Sequence, residues 1–568
     1  MIGIARIFAL LLLLGAWLNA APIRAGEVLR TQPRYAKEIA PILFQNCVPC
    51  HRPGQPAPFS LLNYVDAKKH GGEIVKATQR RYMPPWLPEP GQLLFADERR
   101  LTQEQIETLQ TWFDSGMPEG NPADLPQLPK FADGWHLGEP DLVVTLPQAY
   151  ALSAEGGDLY RNFVIPSPVG QMAFVRALEF HPNSKSVHHV RILLDSTRQS
   201  RRLDSEDADP GFPGMSVPAR FPQGHMLTWT PGRTPAPEPD GLSWVLDAGA
   251  DLVLQIHMQR SGKPERIQPA LGLYFTNKPP AKAAHCIGLL SQTIEIPAGE
   301  SNYVVERSFE LPVDVEALSV LPHLHYLGKR AEAFALLPGG SRQSLLLIKE
   351  WDFNWQSQYR FAEPVALPKG SVISMRYTFD NSDANVRNPS HPPRPVVFGP
   401  QSADEMAELW LQVLPRRPSD LAALQSAYRT YNFRETAGYY ELQLRRNPGD
   451  ARLHFGLGKV LGPLGQMEAA LAHFQTAARI DPQFGEARYY LGLSLYGLQR
   501  WAEAKAEFAA AVRLNPRDFK AHDGLGLVGL KQGNHAEARR HFQTALEINP
   551  DDPAARSNLQ SLDRSPSP

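Results

Sequence analysis

The stretch SKSVHHVRILLD (residues 184–195) places two adjacent histidines in front of an apolar run. The run, Val190 to Leu194, predicts a buried β-strand. Successive side chains of a strand point to opposite faces, so one of His188 and His189 should face the core and the other should face away. Both can reach one common partner only at a bulge or a strand end, where the alternation breaks down. A satisfied core histidine beside a surface one is the alternative interpretation.

The length of the chain, 568 residues, is too large for one hydrophobic core and indicates roughly three to five domains. Charge is nearly balanced, with 58 Lys and Arg against 59 Asp and Glu. No basic patch with interleaved aromatic residues occurs in the sequence, so we expect no nucleic-acid partner.

The N-terminus, MIGIARIFALLLLLGAWLNAAPIRAG (residues 1–26), has a basic Arg6, an apolar run and small residues around Ala20 and Ala25. This order is typical of a secretory signal peptide. A retained membrane anchor is the alternative, but the run is short for a spanning helix. We expect removal of residues 1–25 and an exported, periplasmic, soluble protein.

Two of the three cysteines lie in FQNCVPCHRPG (residues 44–54). Cys47 and Cys50, followed directly by His51, have the spacing at which two thiols bind haem covalently while the imidazole ligates the iron. A zinc half-site would need a second Cys/His pair, and a thioredoxin-like site would need a βαβ context. The flanking segments instead predict helices, so we expect one covalently bound haem c.

Residues 30–120 resemble class I cytochrome c domains: an N-terminal helix, the cysteine motif and a closing amphipathic helix at 101–116. The resemblance implies an α-helical haem domain with a methionine as second axial ligand. Met83 lies in a Pro-rich loop able to present its sulfur to the iron. Met117 follows the closing helix and is the poorer candidate, and many methionines are only core residues.

Four Asx-Pro pairs, beginning at Asn447, Asp481, Asn515 and Asn549, follow one another at intervals of 34 residues. Between them, small and apolar residues at helical spacing with a Gly-bearing turn form the tetratricopeptide signature. Residues 420–560 therefore predict an α-helical tetratricopeptide solenoid. Such arrays expose a concave surface suited to peptides or partner proteins.

Residues 135–415 contain short alternating apolar runs between Pro/Gly turns and predict two β-sandwiches, 135–280 and 281–416. Histidines recur in three strand contexts of this region. Two same-face histidines close in space form a bidentate metal clamp. The three contexts are the pair at 188–189, His257 after Gln255 in DLVLQIHMQ, and His323 and His325 in SVLPHLHYLGKR.

This combination resembles the copper type II monooxygenases, the family of peptidylglycine alpha-hydroxylating and dopamine beta-monooxygenases. The resemblance implies two jelly-roll-like copper domains facing each other across a wet cleft, one copper storing electrons and the other activating dioxygen for C–H hydroxylation. It also implies that His188 and His189 bind the same metal, so their strand should be distorted or end there. The implied ligands are His188, His189 and His257 for the first copper, and His323, His325 and Met406 for the second.

The chain departs from the peptide-amidating enzyme of that family. Where that enzyme holds substrate with Arg, Asn and Tyr, this chain has Leu321, Glu408 and Trp410. A peptide carboxylate would meet an acid and no cation there, so peptide amidation is not expected. The family's disulfides are absent, because Cys286 has no partner within these domains and is expected to be a small buried hydrophobe.

The remaining histidines and one aromatic stretch indicate supporting or structural positions. His181, His225, His285 and His391 lie among Pro/Gly loops and indicate surface or supporting positions. The aromatic stretch EWDFNWQSQYRF (residues 350–361) could line a substrate pocket, with aromatic packing in a sandwich core as the default.

Together these patterns predict a multidomain, exported monooxygenase with two copper ions and one haem, whose cytochrome domain supplies electrons. Dioxygen, a small-molecule or peptide substrate, an electron donor to the haem and a protein bound by the repeats are the expected partners. The alternative is a non-catalytic electron-transfer or copper-handling protein that recruits partners through its repeats.

Overall fold

A computed structural model describes residues 32–53, 57–91, 93–130 and 134–564. The predicted signal peptide, residues 1–25, lies outside the described residues. The chain forms two compact units: residues up to Met83 with 101–129, and residues 84–100 with those from Lys130 onward. None of the helices in the described ranges is both long and apolar enough to cross a membrane.

The first unit is helical. A capping box, in which Thr102 and Gln105 satisfy each other's backbone N–H groups, begins its longest helix. The buried faces of this helix and of the N-terminal segment supply Trp112, Leu109 and Ile39 to the core. Its helices are a π-helical turn (Tyr35–Ile39), α1 (Ala40–Asn46), α2 (Tyr64–Lys69), α3 (Gly71–Gln79) and α4 (Gln103–Asp114), followed by a 3₁₀ turn (Pro122–Asp124).

The second unit begins with a two-layer β-structure, the first sandwich, built from residues 142–276. Its elements are β1 (Leu142–Thr145), β2 (Tyr150–Leu152), β3 (Leu159–Ile165), β4 (Ala173–His181), β5 (Val187–Asp195), α5 (Gln199–Glu206), β6 (Phe212–Pro213), β7 (Thr228–Trp229), β8 (Trp244–Leu246), β9 (Asp251–Met258), β10 (Glu265–Ile267) and β11 (Ala270–Thr276). One sheet has the strand order β1-β11-β4-β8, a second has the order β6-β3-β9-β5-β7, and β2 pairs with β10.

The core of the first sandwich lies between its two larger sheets. Leu271 and Leu273 of β11 pack in one cluster with Ile192 of β5 and with Leu254 and Ile256 of β9. Alternation along β9 therefore directs its even-numbered side chains into the core and turns Gln255 and His257 to the outer face.

A second sandwich follows, from residues 285–415. Its strands are β12 (His285–Ser291), β13 (Glu295–Ile296), β14 (Tyr303–Glu310), β15 (Val315–Leu324), β16 (Gly328–Leu336), β17 (Arg342–Ile348), β18 (Tyr359–Leu367), β19 (Val372–Phe379), β20 (Val396–Val397) and β21 (Ala407–Pro415), with a 3₁₀ turn at Phe353–Trp355. The sheets β12-β21-β15-β18 and β14-β19-β16-β17 enclose one large apolar core, and β13 pairs with β20.

Residues 84–100, which directly follow Met83, pack on the second sandwich. Phe95 forms a β-bridge with Phe361, and the Trp86 ring lies edge-on to Tyr359 with a centroid distance of 5.2 Å. The chain thus leaves the first unit, contributes one segment to the second unit and returns at Leu101.

The C-terminal region is an array of antiparallel helix pairs. Glycine permits the closest approach within each pair: a Cβ at Gly458 would lie 2.6 Å from the Phe474 ring, and the pattern repeats at Gly492 with Phe508. The helices are α6 (Leu421–Arg446), α7 (Ala451–Leu461), α8 (Met467–Ile480), α9 (Gly485–Gly497), α10 (Trp501–Leu514), α11 (Phe519–Lys531), α12 (His535–Ile548) and α13 (Pro553–Arg564).

Candidate metal centre between the two sandwiches

The histidine pair of the first sandwich lies at a β-bulge. The pairing of β5 with β9 is Val187 with Met258 and then His189 with His257, so the register shifts at His188. An extra residue in one strand breaks the alternation and lets two neighbouring side chains turn to one side. The expected distortion of the strand is confirmed.

Three imidazoles converge at this bulge. The Nδ1 atom of His189 lies 3.3 Å from the Nδ1 atom of His188 and 3.3 Å from that of His257. The potential ligand atoms of the three residues all lie within 4.8 Å of one another. Three imidazole nitrogens at these separations match the donor set that a transition-metal ion takes in a tridentate site.

The neighbours of His257 hold its ring. Tyr160 on β3 stacks on the imidazole with a centroid distance of 4.3 Å, and a carboxylate oxygen of Asp158 lies 3.2 Å from its Nε2. Burial raises the pKa of Asp158, but hydrogen bonds from His257 and Ser402 outweigh it and lower that pKa to about 2. An ionised carboxylate beside Nε2 favours a proton on that nitrogen and leaves Nδ1 free to bind a metal.

The second predicted set lies where β15 ends beside the beginning of β21. His323 pairs with Glu408 and Leu324 with Ala407 in an antiparallel register. Continued by one residue, this register brings His325 opposite Met406. Directly opposed residues of an antiparallel pair share a face, so both histidines and the thioether lie on one side of the sheet.

The two histidines of this set use their ring nitrogens in the same way. The Nδ1 of His323 lies 2.5 Å from Oε1 of Gln356, and the Nδ1 of His325 lies 3.1 Å from the carbonyl oxygen of Asp404. Both contacts require a donating Nδ1–H, which leaves Nε2 as the lone-pair nitrogen. The Nε2 of His325 is buried without a hydrogen-bond partner, as expected of a nitrogen reserved for a ligand.

A buried carboxylate joins the two strand ends. Glu405 accepts hydrogen bonds from the backbone N–H groups of His325 at 3.0 Å, Leu327 at 2.7 Å and Met406 at 3.1 Å. Burial raises the pKa of Glu405 to about 8, and these N–H groups act in the opposite direction. The side chain fixes the backbone that carries His325 relative to the backbone that carries Met406.

The two histidine sets are neighbours. The His189 ring lies 6.0 Å from the His323 ring, and Phe353 stacks on His188 at 4.6 Å and contacts His325 at 5.4 Å, all between centroids. The side chains of the two sets therefore contact each other directly, which differs from the wet cleft that the resemblance implies. The stretch 350–361 contributes both to this contact between the two sets and to the core of the second sandwich.

Burial favours the uncharged form of four of these imidazoles, those of His188, His189, His323 and His325. It lowers the pKa of His188 to about 3, that of His325 to about 3, and that of His189 well below the ordinary value, and the charges of neighbouring histidines add to the effect. Burial also lowers the pKa of His323. Neutral imidazoles can bind a cation without first releasing a proton.

The residues beside the second set are Leu321, Glu408 and Trp410, which share its face of the sheet. The indole N–H of Trp410 donates to Glu408 at 3.0 Å. Arg191, which no sequence pattern indicates, lies two residues after His189 and donates to Gln255 at 3.1 Å. Burial lowers the pKa of Arg191 while the charge of Glu408 raises it, so a cation and an acid flank this centre.

The cysteine motif of the first unit lies at the end of α1. The Nδ1 of His51 lies 3.1 Å from the carbonyl oxygen of Phe59, so Nδ1 is the donor and Nε2 is available as a ligand. Burial lowers the pKa of His51 and raises that of the Cys47 thiol to about 12. Met83 is half-buried at the end of this part of the chain. Met117 packs its sulfur against Gly71.

The expectation that the remaining histidines lie in loops is wrong for two of them. His181 ends β4 and His285 begins β12, because short apolar runs there pair as strands. His225 is buried in a turn, and His391 is exposed, 3.6 Å from Asp383. Cys286 lies on β12, and burial raises its thiol pKa to about 12, in agreement with a packing role.

Comparisons with known proteins concern the repeats. The tetratricopeptide repeat family matches residues 421–483 and 489–553, which confirms the predicted repeats. Curated protein sequences include no match.

Three similar solved structures each cover less than a quarter of the chain. The crystal structure of MamA is 23% identical, with coverage of 23% of this chain and 76% of that chain and a TM-score of 0.22. YrrB, a TPR protein with an unusual peptide-binding site, is 27% identical, covering 23% and 67%, with a TM-score of 0.22. The first TPR of Spaghetti (RPAP3), bound to an HSP90 peptide, is 20% identical, covering 20% and 91%, with a TM-score of 0.20.

Proposed function

We propose that this protein is an exported copper- and haem-dependent monooxygenase that hydroxylates a C–H bond of a small organic substrate. The observation that carries the proposal is the convergence of His188, His189 and His257 at a bulge, beside His323 and His325 of the neighbouring sandwich. Buried imidazoles gathered from two sandwiches are costly to maintain unless they bind something.

The donor atoms fit copper. Three imidazoles suit an ion that changes between Cu(II) and Cu(I), and two imidazoles with the Met406 thioether favour Cu(I). The orphaned Nε2 of His325 supports the second set on geometric grounds. Bound copper would supply one-electron transfer and reaction with dioxygen.

The chain's own residues would orient and shield the reacting partners. Phe353 excludes water between the two sets, since its ring packs against His188 and His325. Arg191 and Glu408 offset each other's charge beside the second set. This balance favours an uncharged or zwitterionic small molecule over a peptide carboxylate, which Glu408 would repel.

The first unit fits a covalently bound haem. Cys47 and Cys50 would hold the macrocycle, and His51 would offer Nε2 because Nδ1 donates to Phe59. Met83 is the preferred second axial ligand, since Met117 is engaged with Gly71. The haem would supply single electrons to the copper centre, and covalent fusion raises the local donor concentration.

The repeats serve as a recruitment surface in this proposal. A tetratricopeptide array presents a concave face and holds no chemistry of its own. We propose a peptide or protein partner for it, which would locate the enzyme beside its reductant or its substrate.

The decisive experiment compares Met406→Leu with Met375→Leu in copper-loaded protein. Met375 is fully buried in the same sandwich, on β19 away from the site, so it is a matched control for packing. We expect two coppers per chain and oxygen consumption under ascorbate in the wild type and in Met375→Leu. Met406→Leu should keep the first copper and lose oxygen consumption.

Other results would contradict the proposal. Full oxygen consumption by Met406→Leu would remove the second set from the chemistry. Two bound coppers without any oxygen consumption in the wild type would favour the non-catalytic, copper-handling alternative. A haem that is lost in acid-acetone extraction would exclude covalent attachment through Cys47 and Cys50.

A further inference from the structure

A second group of ligand-type side chains lies on the other sheet of the first sandwich. Glu179 and His181 are two residues apart on β4 and share its outer face, opposite the core. His136 lies in the segment that leads into β1. The Nδ1 of His136 and the Nε2 of His181 each lie 2.9 Å from the same oxygen, Oε1 of Glu179. The ligand atoms of all three lie within 4.8 Å of one another.

The carboxylate of this group is held in a fixed orientation. Only 3% of Glu179 is exposed, and its two oxygens accept the backbone N–H groups of His136 at 2.9 Å and Leu137 at 3.1 Å. Burial raises the pKa of Glu179, but hydrogen bonds from His181 and His136 outweigh it and lower that pKa to about 2. The group therefore offers an ionised, oriented oxygen ligand.

The segment that carries His136 is positioned by packing. Trp135 stacks on the His181 ring with a centroid distance of 4.0 Å. It also lies over Gly272, where a Cβ would be 2.9 Å from the indole. Gly272 pairs with Glu179 across the sheet, so the missing side chain makes room for the segment. The His136 and His181 side chains remain 40% and 29% exposed, and an ion can reach them from solvent.

We propose that His136, Glu179 and His181 form a binding site for a divalent transition-metal ion of the zinc class. Two imidazoles with one carboxylate suit zinc and its borderline neighbours, whereas calcium and magnesium prefer oxygen ligands. Ligand atoms about 2.1 Å from one tetrahedral ion stand about 3.4 Å apart, so the two nitrogen–oxygen separations of 2.9 Å would widen by about half an ångström on binding. When the ion binds, each imidazole would give up the proton on the nitrogen that faces Glu179 and carry a proton on its other ring nitrogen instead. The charges of the side chains then stay the same, and no redox change is needed.

This site differs from the copper centre in position and in role. A bound ion would fasten the segment 135–137, which precedes the first strand of the sandwich, to the outer face of β4. Its ligands come from one sheet and the preceding segment, and none belongs to the sets around His189 and His323.

The probe for this site is the Zn²⁺ ion, added without any other ligand. Equilibrium titration of the full chain with Zn²⁺ should give one more bound equivalent in the wild type than in His136→Gln or His181→Ala. Glutamine at 136 can still hydrogen-bond to Glu179, so this variant separates metal binding from the hydrogen bond. His189→Ala should keep the additional equivalent. Hydrogen exchange at residues 135–137 should slow when Zn²⁺ is added to the wild type, and it should not change in His136→Gln.

Two outcomes would overturn the proposal. The first is an unchanged zinc stoichiometry and affinity in both His136→Gln and His181→Ala. The second is an equal effect of Zn²⁺ on exchange at 135–137 in the wild type and in His136→Gln. Because His136 lies outside the strands and is 40% exposed, loss of folding is not expected to obscure either result.

Discussion

Imidazole nitrogens approach each other to 3.3 Å or less in two regions of the molecule, with different consequences. In the first sandwich, Nδ1 of His189 lies 3.3 Å from Nδ1 of both His188 and His257. In the repeats, Nδ1 of His454 on α7 lies 2.9 Å from Nδ1 of His473 on α8. The first contact belongs to three converging rings, whereas the second is a pair that joins two helices.

A comparison of successive repeats indicates the role of the His454–His473 pair. His522 and His541, two repeats later, form the same contact at 3.2 Å, while the repeat between them has Arg488 bonded to Glu507 at 3.1 Å. The first residue of each pair, which is His454, Arg488 or His522, also donates a hydrogen bond to the carbonyl oxygen of the proline six residues earlier. A position that accepts either His or Arg needs a hydrogen-bond donor, so proximity of two imidazoles alone does not indicate a metal site.

The largest effect is expected from His189→Ala. Its Nδ1 is the central atom of the first set, so the variant should lose copper affinity at this set by about a hundredfold or more. His473→Ala is the matched control, since it removes one imidazole of a contact of similar length. Copper titration checks both variants, and an equal loss of copper in the two would break the distinction between the regions.

Glu405→Gln should destabilise the second set. Because burial raises the pKa of Glu405 to about 8, the comparison is made above pH 8, where the ionised carboxylate offers two acceptor oxygens and an amide offers one. A buried N–H of His325, Leu327 or Met406 then loses its partner at a cost of about 1–3 kcal/mol. Denaturant unfolding and copper counting should show a less stable protein with the second copper weakened. Glu306→Gln is the control, because its side chain is exposed on β14, in the other sheet of the same sandwich. Unchanged copper binding in Glu405→Gln would show that this carboxylate does not position the ligands.

Asp158→Asn tests the support of His257. Removal of the negative charge beside Nε2 should lower copper affinity at the first set by about 10- to 100-fold, the range typical of such outer partners. The second set should keep its affinity, since Asp158 contacts none of its ligands. An equal decrease at both sets would mean that the substitution acts through the packing of the sandwiches, via Ser402.

The smallest effect is expected from replacing His454 and His473 by the Arg and Glu of the next repeat. Burial lowers the pKa of His473 below its ordinary 6.5, the charge of His454 adds to this, and Glu441 opposes it. The native state then holds fewer protons than the unfolded chain, so stability decreases as the pH falls below 6.5. The double variant should have nearly wild-type stability at about pH 7.5 and a smaller decrease toward about pH 5.5.

Hydrogen exchange in α7 and α8 measures this difference, with copper titration alongside. The double variant should bind as much copper as the wild type. A loss of copper, or an unchanged pH dependence of exchange, would show that the pair is more than a helix–helix contact.

Several parts of this protein could be predicted from the sequence because they rest on local patterns. The repeats follow from a 34-residue period, and their helices occupy residues 421–564. The distorted strand at His188 is implied by the resemblance to the copper monooxygenases, whereas strand alternation alone leaves open a core histidine beside a surface one; the register shift confirms the distortion. The face of His257 followed from alternation along one strand.

Only the tertiary structure decided which atoms meet. Which ring nitrogen of His257 and of His323 keeps a lone pair for a ligand depends on partners far away in sequence, Asp158 and Gln356. The 6.0 Å separation of His189 and His323 depends on how two sheets pack, and Glu179 gained its partner His136 because Gly272 left room for a distant segment. Periodicity reports which face a side chain occupies, whereas the identity of its neighbours is set by long-range packing that no local pattern contains.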